Sequence, residues 1–400
     1  MARVDVEVLI VGAGPVGLMS AYRLDRFGIS AMVVEANDAL PRDLRASTFH
    51  PPTLDMLGEY GLDKPLIDQG RVCPTWQIRM HETGESAVFD LSLLADETGH
   101  PYRLQCEQFR LCHILDNALR TTDHVQIRMG AELIDFEQDE DGVTARIRTA
   151  EGEEETVRCA IMIGADGARS RVREQLGIGF EGLTYPETTI LATTTFPFED
   201  HIADLANVTY FWWTEGTFTL LRLPALWRCS LYPGSGESIE EATRPERVRE
   251  RMRRIVPEAG DGDIVEIRPY RVHMRIADDY RRGRVVLAGD AAHVNSPSGG
   301  MGMNGGIHDA FNLTETLRQI FGGGSLDLLD RYTRQRRPIA AQEVLAQADR
   351  NRARMQERDP ERRRAMLRDL QDQMNDPVRA KAYLMRSSMI DGLRRSQMLA

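Results

Sequence analysis

The sequence predicts a mixed α/β fold: a Rossmann-type parallel sheet carried in several pieces of chain, interrupted by an antiparallel sheet and followed by helices. Three observations predict it. Residues 4–28 pass from an apolar strand through Gly12-Ala13-Gly14-Pro15-Val16-Gly17 into a helix. Apolar strands of the buried, parallel kind return near 160 and near 285. Between those two returns the apolar period drops to two and aromatic residues crowd together.

The elements follow in order. Val4 to Val11 reads as a strand, Leu18 to Phe27 as a helix stopped by Gly28, and Ala31 to Val34 as a second strand closed by Glu35. Residues 51–62 read as a helix opened by Pro51-Pro52 and stopped by Gly61. Residues 108–120 read as another, with Leu111, Leu115 and Leu119 four apart. Val125 to Phe136, Val143 to Arg148 and Glu154 to Arg158 alternate and are punctuated by Asp141-Gly142 and Glu151-Gly152, which predicts a three-stranded meander. Ala160 to Ile163 is the next apolar strand. Residues 185–270 hold Thr193 to Phe198, Val208 to Trp213, Phe218 to Leu223 and Trp227 to Tyr232, expected to form a separate antiparallel sheet. Arg284 to Ala288 returns to the buried type, a helix begins near 305, and from 338 the chain is helical with a break near Asp376-Pro377.

With 400 residues, 42% hydrophobic and 28% charged, the chain is globular and has room for one large domain or two ordinary ones. A net charge of −11 argues against a nucleic-acid partner or an anionic membrane surface. No apolar run reaches the roughly 18 residues that span a bilayer, and the acidic opening strand is unlike a secretory leader. Cys73, Cys106, Cys112, Cys159 and Cys229 are odd in number and widely spaced, without a CxxC pair or Cys/His ladder. A metal site is therefore not expected, and a reducing cytoplasm is.

Gly12, Gly14 and Gly17 sit between a strand and a helix. The first permits the turn, the second lets backbone approach a pyrophosphate, and the third lets helix and strand pack closely. Glu35 follows 18 residues after Gly17, a spacing suited to a ribose diol and unfavourable to a 2′-phosphate. Gly289-Asp290-Ala291-Ala292-His293 is a second strand-glycine-acid turn. Its glycine-rich tail, Pro297 to Gly306, exposes backbone N–H groups suited to a planar cofactor's carbonyl edge.

These two motifs, with Gly164-Ala165-Asp166-Gly167 followed by Arg169 and Arg171 between them, resemble the three ordered motifs of the FAD-dependent aromatic hydroxylases, the single-component flavoprotein monooxygenases of the para-hydroxybenzoate hydroxylase type. The resemblance covers residues 4–340. It implies an FAD-binding domain at 1–75, 101–180 and 268–340, a substrate-binding domain at 76–100 and 181–267, and a helical segment at 341–400. Gly12, Gly14 and Gly17 would hold the FAD pyrophosphate, with Arg45 on the pyrophosphate side, and Glu35 the ribose. Gln108 and Asp290 would meet the ribityl chain; Gly302, Met303 and Asn304 would present backbone to the flavin ring. Asp166 would belong to the motif linked to both FAD and NAD(P)H, although an Asp-Gly turn capped by Ser170 explains it equally. The implied reaction is hydroxylation of a phenolic or heteroaromatic ring with NAD(P)H and O2, through a flavin C4a-hydroperoxide.

Tyr210, Trp212, Thr219 and Arg222 are the candidates for the substrate pocket, Arg222 as partner of a substrate carboxylate or as a surface arginine. Pro297 falls where the family has a proline beside flavin and substrate. His50 is either an acid–base group facing the ring or a loop-packing histidine. His273 and His293 are expected to brace strands. The helical tail is expected to cover the active site or form a homodimer contact. Two other functions share these motifs: a flavoprotein reductase or dehydrogenase that inserts no oxygen, and a flavin protein that holds an aromatic intermediate without turnover.

Overall fold

A computed structural model describes residues 5–42, 46–234, 236–297 and 299–399, with backbone alone at Pro186, Glu343 and Val344. Two large sheets carry the fold. In the first, Val6–Val11 pairs in parallel with Ala31–Glu35 on one side and Glu154–Gly164 on the other. Val125–Met129 extends the sheet beyond Ala31–Glu35, and Val285–Leu287 extends it beyond Glu154–Gly164. The register sets Ile10 opposite Ile163 and Val33. These strands are apolar throughout because both faces are covered: Val8, Leu9, Ile10 and Ile163 have no exposed surface.

Two predicted boundaries move. Val125 to Phe136 is two strands, Val125–Met129 in the parallel sheet and Glu132–Gln138 in the meander. They are separated at Gly130, whose φ of +69° turns the chain. The expected strands at 154–158 and 160–163 are one continuous strand, Glu154–Gly164, whose first half pairs with Val143–Arg148 and whose second half enters the parallel sheet.

The second sheet has the order 293–294, 264–277, 180–194, 227–231, 216–222, 208–213, 75–80, 86–90. Its long pair, Phe180–Thr194 and Ile264–Ala277, begins beside the parallel sheet and ends in a separate core formed by Phe196, Phe198, Phe211, Phe218 and Trp227. A small sheet of Thr48–Phe49, Arg103–Gln105 and Arg71–Cys73 joins the two bodies.

The tail is helical as expected. Leu328–Ile339 runs through a π-turn at Ala340–Leu345 into Ala346–Gln356, the π-turn following Pro338, which supplies no N–H to the ladder. Helices Pro360–Asn375 and Pro377–Ser387 open on Asp359 and Asp376, whose carboxylates accept from the first free N–H groups. The break at Asp376-Pro377 is this capped junction. Leu367, Leu370, Leu384 and Met385 pack these helices onto Trp76, Ile78 and Phe89 of the second sheet. All five cysteines are free and buried. No helix among the described residues is long and apolar enough to cross a membrane.

Candidate active site

The cofactor side is built from backbone. Gly12 has φ +106°, and a Cβ there would lie 2.5 Å from the Ala165 carbonyl oxygen. A Cβ on Gly17 would lie 1.9 Å from the Gly12 oxygen, so neither position admits a side chain. Gly14 differs: a Cβ there would meet nothing within 4 Å, so the N-terminus of helix Pro15–Arg26 opens onto free space. That is the surface a pyrophosphate needs. Glu35 ends its strand beside this turn, one oxygen accepting from Ala13 N at 2.9 Å and the other from Asn37 N at 3.0 Å.

The Gly289 turn packs on the same helix. Its φ is +61°, and a Cβ would come 2.8 Å from Val16; one on Gly306 would come 2.6 Å from Val16. Asp290 is exposed at the C-terminal end of strand Val285–Leu287, where open α/β sheets take ligands. The helix after the glycine-rich tail spans Gly302–Phe321, earlier than expected, so Gly302, Met303 and Asn304 form its first turn. Asn304 is buried and uses its side chain as a latch: Oδ1 accepts from His50 N at 2.9 Å, and Nδ2 donates to Thr48 O and Gly300 O at 2.8 and 2.7 Å. Gln108 opens helix Gln108–Leu119, its N–H donating to Ala46 O. The open cradle at Gly14, the exposed Asp290 and the half-buried Glu35 fit an extended dinucleotide such as FAD. Arg45 lies outside the described residues.

A buried ion network supports this floor. Asp309 has no exposed surface; Oδ1 accepts from Arg336 Nε at 2.7 Å, and Oδ2 meets His293 Nε2 at 2.7 Å and Gly289 N at 3.1 Å. Burial opposes ionisation of Asp309, but the Arg336 guanidinium and His293 hold its carboxyl down to about 2. Arg336 also donates to Gly305 O, so one cation ties the tail to both cofactor loops.

The pocket lies on the other side of the Gly299–Met301 segment and spans about 430 Å³ with open solvent included. The second sheet contributes Trp76, Ile78 and Tyr210, and the small joining sheet contributes Arg103. The helical tail contributes Arg354 and Met355 from one helix and Tyr383 and Ser387 from another. Arg103 is 3% exposed and its guanidinium lies 4.7 Å from the Trp76 ring centre. Among the described residues it pairs with no carboxylate, and its Nε has no partner. Burial lowers its pKa, while the Tyr210 and Tyr383 hydroxyls and the Cys73 thiol oppose that shift. Burial in turn pushes the Tyr210 phenol up, with Arg103 and the Gly299 backbone acting against it.

For three candidates with two readings each, the geometry favours the structural one. His50 does not line the pocket. It is wholly buried, its Nε2 donates to Gly299 O at 2.7 Å, and burial and the Arg103 charge push its pKa down to about 3. It is a neutral clamp on the glycine loop. Arg222 is also away from the pocket: it pairs with Glu199 at 2.8 Å and lies over Trp227, which satisfies its charge without a substrate. Asp166 caps helix Arg171–Gln175 together with Ser170, its Oδ2 accepting from Val172 N at 3.1 Å. Pro297 is exposed, and its carbonyl closes a turn with Gly300 N at 2.9 Å. Trp212 is buried, its Nε1 donating to Arg354 O, and so fastens the tail to the sheet; Thr219 is not a pocket residue. His293 braces the Gly289 turn through Asp309, and His273 meets Thr184 Oγ1 at 2.9 Å.

The sequence reading missed Arg103, Trp76, Arg354 and Tyr383, which carry no motif. Asp309 had a faint signal: it follows Gly305 by four residues, which puts it on the helix face that the glycines press toward the sheet.

The chain is similar to known proteins over most of its length. The family described as FAD binding domain matches residues 5–347. Para-nitrophenol 4-monooxygenase of Pseudomonas sp. (strain WBC-3) is 34% identical over 389 residues, covering 96% of this chain and 94% of its own length. Pentachlorophenol 4-monooxygenase of Sphingobium chlorophenolicum is 33% identical over 344 residues, 84% of this chain and 63% of its own length. The crystal structure of p-nitrophenol 4-monooxygenase from Pseudomonas putida DLL-E4 superposes with a TM-score of 0.91 at 31% identity, covering 98% of this chain and 99% of that one.

Proposed function

The chain belongs to the FAD-dependent aromatic hydroxylases, and within that family we propose that it hydroxylates a small phenol bound as its anion, using NAD(P)H and O2. The observation that carries the anionic substrate is Arg103, a buried cation facing a pocket with no carboxylate among the described residues to neutralise it. A buried charge without a partner is costly, and an arginine cannot shed its proton to escape that cost. A phenolate oxygen or another anionic substituent supplies the missing charge. The aromatic walls, Trp76 and Tyr210, suit a ring of one-ring size. Two relatives whose names specify nitrophenol and pentachlorophenol act on acidic phenols, which agrees.

Bound FAD supplies reduction by NAD(P)H and activation of O2. The protein's own residues do the rest. Gly12, Gly14 and Gly17 would admit the pyrophosphate, Glu35 would take the ribose, and Gln108 and Asp290 would take the ribityl chain. The first turn of helix Gly302–Phe321 offers Gly302 and Met303 backbone to the ring, while the Asn304 and His50 latches keep that turn in place. Arg103 holds the substrate oxygen as an anion and so keeps the ring electron-rich. Tyr210, its phenol kept protonated by burial, donates a second hydrogen bond to the same oxygen. Met355 and Tyr383 from the tail cover the ring and exclude water. With five buried free thiols, the reaction suits the reducing cytoplasm.

The test is NAD(P)H consumption by the FAD-loaded protein with a panel of phenols, with labelled O2 and H2O2 scored in parallel. Acidic phenols are expected to stimulate consumption and to carry the label in the product. Consumption without label in any product overturns hydroxylation in favour of a reductase. Tight ring binding without consumption points to a holding protein.

A further inference from the structure

A second, open cleft of about 620 Å³, open solvent included, lies outside the pocket, lined wholly by the helical tail. Arg354, Tyr383 and Ser387 line both cavities, so the two share one wall. The outer cavity adds Arg350 and Arg386, both exposed, and no described residue that lines it is acidic. Arg350 meets only Gln347 Oε1, at 2.7 Å, and neither it nor Arg386 is in an ion pair among the described residues.

We propose that this arginine-lined vestibule is the route by which the anionic substrate enters, with Arg350 and Arg386 at the mouth, Arg354 at the shared wall and Arg103 at the end. The inference rests on the anionic-phenol reading above and adds its path. A cleft lined by one sign of charge with low-dielectric walls raises the local concentration of the opposite charge and speeds association. The arginines lie on two helices joined through the capped Asp376-Pro377 junction and the helix before it, so the tail itself builds the entrance. The order of charges also explains direction. The outer two remain hydrated and hold an anion weakly; Arg354 is half-buried and donates to the Tyr383 hydroxyl at 3.1 Å; Arg103 is desolvated and holds an anion most strongly.

The test uses FAD-loaded protein in rapid mixing, with flavin absorbance reporting binding of two probes at mildly alkaline pH: 4-nitrophenolate, which is ionised, and 4-methylphenol, which is not. For 4-nitrophenolate the association rate constant is expected to fall with added salt, and to drop about tenfold in Arg350→Glu/Arg386→Glu at low salt. It is expected to stay near the parent value in Arg350→Lys/Arg386→Lys. For 4-methylphenol neither salt nor charge reversal is expected to matter. FAD content and the visible flavin spectrum report that the charge-reversed protein is folded. A salt-independent rate, equal effects on both probes, no binding of 4-nitrophenolate, or an effect confined to the NAD(P)H KM overturns the vestibule. The last of these would reassign the arginines to the dinucleotide phosphates. Steered binding of 4-nitrophenolate without labelled product supports the vestibule while overturning hydroxylation.

Discussion

Two buried arginines, on either side of the Gly299–Met301 segment, show how the same side chain serves two ends. Arg336, 1% exposed, lies under the cofactor loops with Asp309 at 2.7 Å, His293 on the same carboxylate and Gly305 O on its far side. Its charge is satisfied by the fold. Arg103, 3% exposed, has aromatic rings and hydroxyls around it and no carboxylate among the described residues. Its charge is left for something outside the fold to satisfy. A buried pair breaks at great cost when one member is lost, whereas an unpaired buried cation loses little or even gains stability when replaced by an apolar side chain. The difference separates scaffold from site.

The largest expected effect tests the scaffold side. Asp309→Asn leaves Arg336 buried without its counter-ion and is expected to cost about 3–5 kcal/mol in denaturant unfolding, with loss of FAD retention. A cost below about 1 kcal/mol would erase the contrast. On the site side, Arg103→Met is expected to leave unfolding stability equal or slightly higher while lowering kcat/KM for an acidic phenol about 100-fold, which is about 2.7 kcal/mol. Destabilisation of the size seen for Asp309 would make Arg103 a scaffold residue too.

Acid sharpens the comparison further. His50 and His308 are neutral in the fold, burial holding both near a pKa of about 3 against an ordinary value of 6.5. Below pH about 6.5 the unfolded chain takes up protons that the folded chain refuses, so stability falls as pH falls, by about 1.4 kcal/mol per pH unit for each histidine down to about 3. Asp309 adds to this at lower pH: its contribution is complete above about 4 and lost as pH falls through about 2. His308→Gln, which keeps a partner for Thr53, is expected to flatten the acid slope by one histidine's share in unfolding curves taken across pH. An unchanged slope would show that His308 titrates alike in both states. The smallest effect belongs to Arg222→Ala. Its pair with Glu199 is partly solvated, so a loss of no more than about 1 kcal/mol and kcat/KM within twofold are expected. A large fall in kcat/KM alone would return Arg222 to the substrate.

The cofactor half was legible in the chain. Gly12, Gly14 and Gly17 act through their lack of a Cβ, and their spacing with the flanking strand and helix is local information. The same holds for Gly289-Asp290 and for the proline and aspartate signals that break the tail at 376–377. The histidine at 50 and the arginine at 222 stayed open between two roles because residue type states what a side chain is able to do and says nothing of its neighbours. Gly299 O occupies His50, and Glu199 occupies Arg222.

The sequence by itself determined the fold class, the three-motif cofactor frame and the membership of a redox family, since each depends on backbone freedom and hydrophobic period over short stretches. The lining of the proposed substrate pocket is assembled only by packing. Trp76, Arg103, Tyr210, Arg354 and Tyr383 come from the second sheet, the joining sheet and the tail, and no periodicity relates them. What sets Arg103 apart is that no carboxylate among the described residues pairs with it. That is a property of packing, set by which segments meet in space, and it leaves no mark in the order of the residues.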